Sequence, residues 1–521
     1  MSGRRPLHTL AFALLFLHLA NAGAQEVSAS APMQVPKTWD EAAIASLEVP
    51  LADAQFSPKH VAAEYYDRIP VRPIFKSYPV YHPDREPPGY FEGLQTMDPK
   101  LVWGGKRTKP RLDSAADWIA AGEIVFDSPT SFDHGAGPAG TFAIAEVRDP
   151  AWYAKTGAHV DANGVLPDLR YVIRKKGTVE LGSLSCANCH TRTMPDGSFV
   201  KGAQGNFPFE RARAFSFRSG RRDEALLRMV AHDNFAVPWS PDDPAKRLDA
   251  MSFDAIVAMG EDTPAGVMAR IRTSPFAPVQ VPDLIGVKER RFLDHTGLVR
   301  QRGIADMMRY SAMNQGADGL SSFGDFIANA EDHHTLLPPE VFERYSDEQL
   351  YALAQYLYSL KPPPNPNLPK TREDIALVKR GRKVFDREDC QRCHKPESSY
   401  ATDKLTPARG FKVPADHAEA GSIMSRSVDT DPALATQTRR GTGFYKVPSL
   451  LGVWYRGPFE HNGSCATLED WFDPRRLRDD YVPTGWKGPP ESKTRAVPGH
   501  EYGVDLSDDD RKALIAFLKT L

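Results

Sequence analysis

Two five-residue strings constrain this chain more than anything else in it: Cys186-Ala-Asn-Cys189-His190 and Cys390-Gln-Arg-Cys393-His394. Two thiols three positions apart, followed at once by an imidazole, have the spacing of covalent haem attachment. Each thiol reaches one vinyl group of the porphyrin, and the adjacent histidine lies beneath the iron. The pattern predicts two covalently bound haem c groups on Cys186, Cys189, Cys390 and Cys393, with His190 and His394 as iron ligands. A thioredoxin-like redox pair needs a βαβ setting that neither string shows, and a zinc site leaves the adjacent histidines unexplained. The fifth cysteine, Cys465, reads as a buried apolar thiol.

Arg4 and Arg5 precede an apolar run from Leu10 to Ala20, and Ala22-Gly23-Ala24 supplies a small-x-small cleavage pattern. Residues 1–24 are therefore expected to be a signal peptide, which places the chain in the periplasm or outside the cell. The run is shorter than the roughly 20 residues that cross a bilayer, and no later stretch reaches that length, so no membrane span is expected after cleavage. The 65 basic and 67 acidic side chains nearly cancel, and no long run of one sign occurs. Nothing points to a nucleic-acid partner; a redox partner protein or a small-molecule oxidant or substrate is expected instead.

A chain of 521 residues exceeds what one core normally organises, and three self-matches in the same order explain how it is divided. Gly122-Glu-Ile-Val125-Phe126-Asp127 matches Gly381-Arg-Lys-Val384-Phe385-Asp386, each at the end of a segment with helical periodicity starting near Ala115 and Ile375. The glycine is expected to admit a second helix closely. Val281-Pro282-Asp-Leu284-Ile-Gly286-Val287-Lys-Glu-Arg290, continuing to His295-Thr-Gly297, matches Val447-Pro448-Ser-Leu450-Leu-Gly452-Val453-Trp-Tyr-Arg456, continuing to His461-Asn-Gly463, without a gap. Tyr345 to Leu360 matches Leu506 to Leu521, both opening with a Ser cap and an acidic or amide residue three positions on, and both carrying an apolar stripe.

The expected fold is mainly α: two cytochrome c-like helical haem domains, the first enlarged by insertions with some β structure. Residues 25–110 form an N-terminal extension, 111–362 the first haem domain, 363–370 a Pro-rich linker and 371–521 the second haem domain. About sixty residues separate Asp127 from Cys186 in the first copy. There Thr141 to Val147 and Arg170 to Leu181 read as strands, and Gly135 to Gly140 as a loop rather than a dinucleotide fingerprint. A further insertion spans Ala231 to Ala277.

The paired CxxCH domains and the element Arg456-Gly-Pro-Phe-Glu-His461-Asn-Gly-Ser464 resemble those of bacterial di-haem cytochrome c peroxidases and the related methylamine dehydrogenase maturation enzymes. Tyr81-His-Pro-Asp-Arg-Glu-Pro-Pro-Gly-Tyr90, Gly499-His500-Glu-Tyr-Gly503 and the long first domain resemble more closely the RoxA-like branch, whose founding member is an exported di-haem rubber oxygenase. Two departures separate the chain from a standard peroxidase. No His lies between His190 and His232, and Asp470 to Leu477 contains no Met to serve as sixth ligand of the second haem.

After His394 the strong-donor candidates for that ligand are His417, Met424, His461 and His500. His461 has a twin in His295 and reads as a supporting group. His500, flanked by glycine and unique to the second copy, is the expected ligand, at the position where the resemblance to rubber oxygenases implies one. The first haem has no such partner nearby: Met194 is too close to His190, Met229 reads as core, and His232, Met307, Met308, Met313, His333 and His334 are remote. Two functions follow. One is an oxidoreductase of oxygenase or peroxidase type, activating dioxygen or peroxide at the first haem with electron transfer through the second. The other is a non-catalytic electron-transfer cytochrome.

Overall fold

A computed structural model of the chain describes residues 34–104, 108–133, 141–314, 321–328, 343–415 and 421–521. The signal-peptide residues, the Gly135–Gly140 loop, His333, His334 and His417 lie outside the described residues.

Each half is built on a packed pair of helices, its opening and closing helices, that the repeat anticipates. In the first half the opening helix Ala115–Asp127 packs on the closing helix Asp347–Ser359, and in the second Arg372–Arg387 packs on Asp508–Leu518. Ser114, Thr371 and Ser346 start their helices as complete capping boxes, while Ser507 accepts from the Asp510 amide, which satisfies amides that a helix start leaves free. The repeated glycine is the contact. A Cβ on Gly122 would fall 2.0 Å from the Ala352 carbonyl oxygen, and one on Gly381 would fall 1.9 Å from that of Ala513, at the matching position of the second copy. Only a hydrogen at these sites lets the helix backbones approach this closely.

The first half also carries a four-stranded antiparallel sheet in which Ser77–Tyr81 pairs with Val165–Lys175, that strand with Thr178–Ser183, and that with Ser131–Asp133. Arg170 to Leu181 is thus β structure, as its alternation predicts. Thr141 to Val147 is not a strand. Its core is the short helix Ile144–Val147, because the Glu146 carboxylate accepts from the Ala143 amide at 2.9 Å and Asp133 from the Ile144 amide at 3.0 Å. Those two side-chain bonds, one of them from eleven positions away, close a helical turn that alternation cannot reveal. One face of the sheet packs on an aromatic-rich core of Phe142, Trp152, Tyr153, Tyr171, Phe207 and Phe209. The Ala231 to Ala277 insertion falls within a separate small core of helices Phe209–Arg218, Glu224–Phe235 and Phe253–Asp262.

Residues 36–521 form one compact unit. The N-terminal extension runs along both halves, its Val49 amide donating to Leu298 O and its Ala52 amide to Gly441 O. Pro362 to Pro369 is extended apart from a turn at 366–367, and Asn365 ties it to the Lys519 carbonyl. No helix among the described residues is long and apolar enough to cross a membrane.

Candidate functional site

The first CxxCH string forms the single helical turn Cys186–His190, started by Ser185, whose hydroxyl accepts from the Asn188 amide. The second is a 3₁₀ turn, Cys390–Arg392, that follows the opening helix of its half almost directly. None of the five cysteines is in a disulfide, and burial pushes Cys189, Cys390 and Cys465 up to about 12. Among the described residues no three His, Cys, Asp or Glu side chains converge as a metal site made of protein alone requires.

The Val-Pro-x-Leu repeat takes its meaning from what it touches. His190 Nδ1 lies 3.0 Å from the Pro282 carbonyl oxygen, and His394 Nδ1 lies 3.0 Å from that of Tyr400, with the carbonyl of Pro448, the repeat partner of Pro282, as a further backbone acceptor. A carbonyl at Nδ1 fixes the tautomer that leaves Nε2 free to ligate a metal. Burial keeps both rings neutral: it pulls His190 down to about 4 against the Pro282 bond, and it lowers His394 as well.

The same element joins the halves across a pseudo-twofold centre. The Gln280 amide donates to His461 O at 2.9 Å, and the equivalent Lys446 amide donates to His295 O at 2.9 Å. Arg290 donates to the carbonyls of Asp283 and Ile285, and its counterpart Arg456 to the matching carbonyls of Ser449, at 2.7 Å, and Leu451, at 3.1 Å. The duplication therefore extends to individual hydrogen bonds.

A cavity of about 360 Å³ opens at the second CxxCH, lined by Cys390, Cys393, His394, Trp471, Phe472 and His500 on one side and by the paired central elements on the other. The His500 ring centroid lies 6.2 Å from that of His394. Two imidazoles on opposite sides of one metal, with metal–nitrogen bonds of about 2.0–2.1 Å, have their centroids roughly 6.3 Å apart. The pair thus fits an iron held between the two rings. His500 Nδ1 is buried without a hydrogen-bond partner among the described residues, and burial, with His394 and Arg476 nearby, pulls its ring down to about 4. The other candidates are placed differently. Met424 is not among the cavity-lining residues. His461 lines the cavity, but its Nδ1 is ion-paired to Glu460 and its Nε2 lies 3.4 Å from the Tyr445 hydroxyl.

Sequence reading missed Arg476. Its side chain is buried, and its guanidinium donates to four carbonyls: Trp471 at 2.8 Å, Val497, Gly499 at 3.0 Å and His500 at 2.8 Å. That fork holds the loop in an unusual shape, with φ 85° at Gly499 and φ 45° at His500. No sequence signal marks such a role: an arginine that follows Pro474 and Arg475 looks like any surface cation.

Around the first string, no other ring approaches His190 among the described residues as His500 approaches His394. Met307, Met308 and Met313 are buried on the helix Ile304–Asn314. His232 is half-exposed and paired with Asp249 at 2.8 Å. Asp168 is buried nearby, and its charge bears on Cys189.

No family model matches the chain. The methylamine utilization protein MauG of Paracoccus denitrificans (strain Pd 1222) is similar to it, 33% identical over 116 residues, which are 20% of this chain and 28% of the relative. The chain therefore matches little more than a quarter of that protein's length. The match agrees with the resemblance to methylamine dehydrogenase maturation enzymes and supports a place in the di-haem cytochrome family; it does not single out the RoxA-like branch. Two solved structures also align at 15% identity: Kuenenia stuttgartiensis hydrazine synthase, with a TM-score of 0.28 over 57% of this chain and 88% of that one, and a MauG-like protein associated with microbial copper homeostasis, with a TM-score of 0.26 over 47% and 73%. At such scores the likeness does not fix the fold.

Proposed function

We propose that this chain is an exported di-haem c-type cytochrome of the RoxA-like branch and acts as an oxidoreductase, taking dioxygen or peroxide at the first CxxCH and passing electrons through the second. The observation that carries this reading is the His394–His500 pair across the second cavity, 6.2 Å between ring centroids, set against a His190 with no such partner among the described residues. The sites differ in the number of strong donors they present, and that asymmetry suits one electron-transfer centre and one reactive centre.

Haem at these positions supplies one-electron redox chemistry and, where a coordination position stays open, binding of dioxygen or peroxide. The protein supplies the rest. Cys186 and Cys189, and likewise Cys390 and Cys393, anchor the two groups through thioethers, while His190 and His394 present Nε2 because the Pro282 and Tyr400 carbonyls hold Nδ1. His500 closes the second site, packed between Trp471 at 5.1 Å and Tyr502 at 5.5 Å, ring to ring. Those aromatic walls exclude water, and a buried neutral imidazole stays a donor across the physiological pH range.

The test is an electron paramagnetic resonance spectrum of the fully oxidised protein, followed by carbon monoxide addition to the reduced protein. One high-spin and one low-spin ferric centre are expected, with the carbon monoxide response lost when Cys186 and Cys189 are both replaced by Ala. Two low-spin centres that bind no added ligand would replace this reading with that of a plain electron-transfer cytochrome.

A further inference from the structure

The pseudo-twofold centre concentrates positive charge that no ion pair among the described residues engages. Arg290, Arg456 and Lys446 line the same cavity as Cys390, Cys393 and His394. Arg290 and Arg456 direct guanidinium nitrogens to backbone carbonyls, which carry no net charge to offset theirs. Arg456 Nε is buried without a hydrogen-bond partner among the described residues. Lys446 forms no ion pair among the described residues and feels Arg290, Arg456 and Arg270 as like charges against one carboxylate, Asp294.

The neighbouring carboxylates Asp283 and Asp294 act on Arg290 and Lys446 through space only, and their direct partners are other groups. Asp294 is shared by Arg270 at 3.1 Å and Arg440 at 2.5 Å, Asp283 accepts from the Tyr455 hydroxyl at 2.9 Å, and Glu460 is held by His461 and Thr430. Cations left unpaired in a low-dielectric interior are unfavourable until anions join them. They line the cavity that also holds Cys390, Cys393, His394 and His500, the residues that would hold a porphyrin there. Arginine forks and a lysine point charge match carboxylates in geometry and sign.

We propose that Lys446, Arg290 and Arg456 form a carboxylate site for the propionates of the haem carried by Cys390 and Cys393. This rests on the haem reading above. The two central arginines thereby do two jobs: each shapes its own Pro-x-Leu turn through backbone bonds, and each turns its charge to the cavity. Lys446, the counterpart of the neutral Gln280, makes the centre unequal and assigns the stronger anion hold to the second haem.

The test uses the full-length holoprotein, produced with haem whose propionate carboxyls carry ¹³C, and begins with intact mass. Fewer than two haems there would overturn the haem reading itself. With two haems present, redox-difference infrared spectra of the second centre should show a label-sensitive carboxylate band at the position of an ion-paired carboxylate. The band should shift in Lys446→Gln and hold its place in Lys446→Arg, and the midpoint potential of that haem should fall in Lys446→Gln, since a cation that favours the reduced state is gone. The potential alone does not suffice, because any nearby cation moves it. A band at the position of a solvated carboxylate in the unaltered protein, a band indifferent to Lys446→Gln, or a shift confined to unlabelled carboxylates would each overturn the assignment. The spectrum of the unaltered protein keeps the test open even if Lys446→Gln does not fold.

Discussion

Arg476→Lys isolates what the four-carbonyl fork contributes to the His500 loop. Two of its bonds end on Gly499 and His500, at 3.0 and 2.8 Å. A Cβ on Gly499 would meet the Thr430 amide nitrogen at 2.3 Å, and His500 is left-handed at φ 45°, a conformation that costs a non-glycine residue about 1–3 kcal/mol. The loop therefore relaxes when its holder weakens. A hydrogen bond from a charged donor is worth about 1.5–3 kcal/mol, and an ammonium keeps the charge but cannot span the carbonyls that a planar fork reaches. Losing two bonds to this loop and regaining part of one removes about 3 kcal/mol, and at about 1.4 kcal/mol per tenfold the detached population of His500 rises about 100-fold. With His500 as the proposed sixth ligand, a ligand would enter the second site only when His500 leaves, so the slow phase of cyanide binding to the ferric protein should accelerate by about that factor, as followed by stopped-flow absorbance. Added imidazole should restore the low-spin spectrum. If Arg476→Lys lowers the melting temperature but leaves both the slow phase and the low-spin fraction unchanged, the fork supports the fold and does not position His500.

Other outcomes are expected from single changes. His500→Ala should convert one haem from low to high spin in paramagnetic resonance, and the same conversion in Met424→Ala or His461→Ala with none in His500→Ala would refute the assignment. Replacing both Cys186 and Cys189 by Ala should lower the intact mass by one haem and leave the other in place; loss of both would refute two separately formed sites. Gly381→Ala should destabilise by about 1–3 kcal/mol in urea unfolding through forced separation of the helices, whereas Gly93→Ala, with nothing within 4 Å of the added methyl, should be neutral or stabilising by up to about 1 kcal/mol; equal effects would contradict the close contact at Ala513. Burial alone would raise the Glu460 carboxyl, but His461 and Thr430 hold it at about 2, below its ordinary 4.5. A carboxyl depressed in the folded state contributes stability that is complete above its unfolded value and is lost as pH falls toward the folded one. Glu460→Gln should therefore flatten the loss of stability between pH 4.5 and pH 2 in urea titrations, and an unaltered pH profile would show that the pair does not act this way.

The residues proposed to carry the chemistry are legible because local spacing defines them. Cys186 to His190 and Cys390 to His394 are read within five positions, and the helix pairs follow from stripes and Ser caps repeated in order, since both periodicity and capping are properties of neighbouring residues. Even the use of Gly122 and Gly381 as close-contact points could be anticipated from their place in the repeat. Thr141 to Val147 could not, because its helical turn depends on Asp133 and Glu146 side chains bonding to amides that no alternation pattern identifies. Arg476 was invisible for a related reason: its four acceptors lie between five residues before it and 24 after it, and only the folded loop turns those carbonyls toward one guanidinium. Sequence proposed His500 from its glycine setting and from a family likeness, but its 6.2 Å separation from His394 spans more than a hundred residues of chain. The sequence thus determined which side chains could attach and ligate haem; the tertiary structure decided which imidazoles face one another and which cations gather at one cavity, because both are distances between segments that only packing brings together.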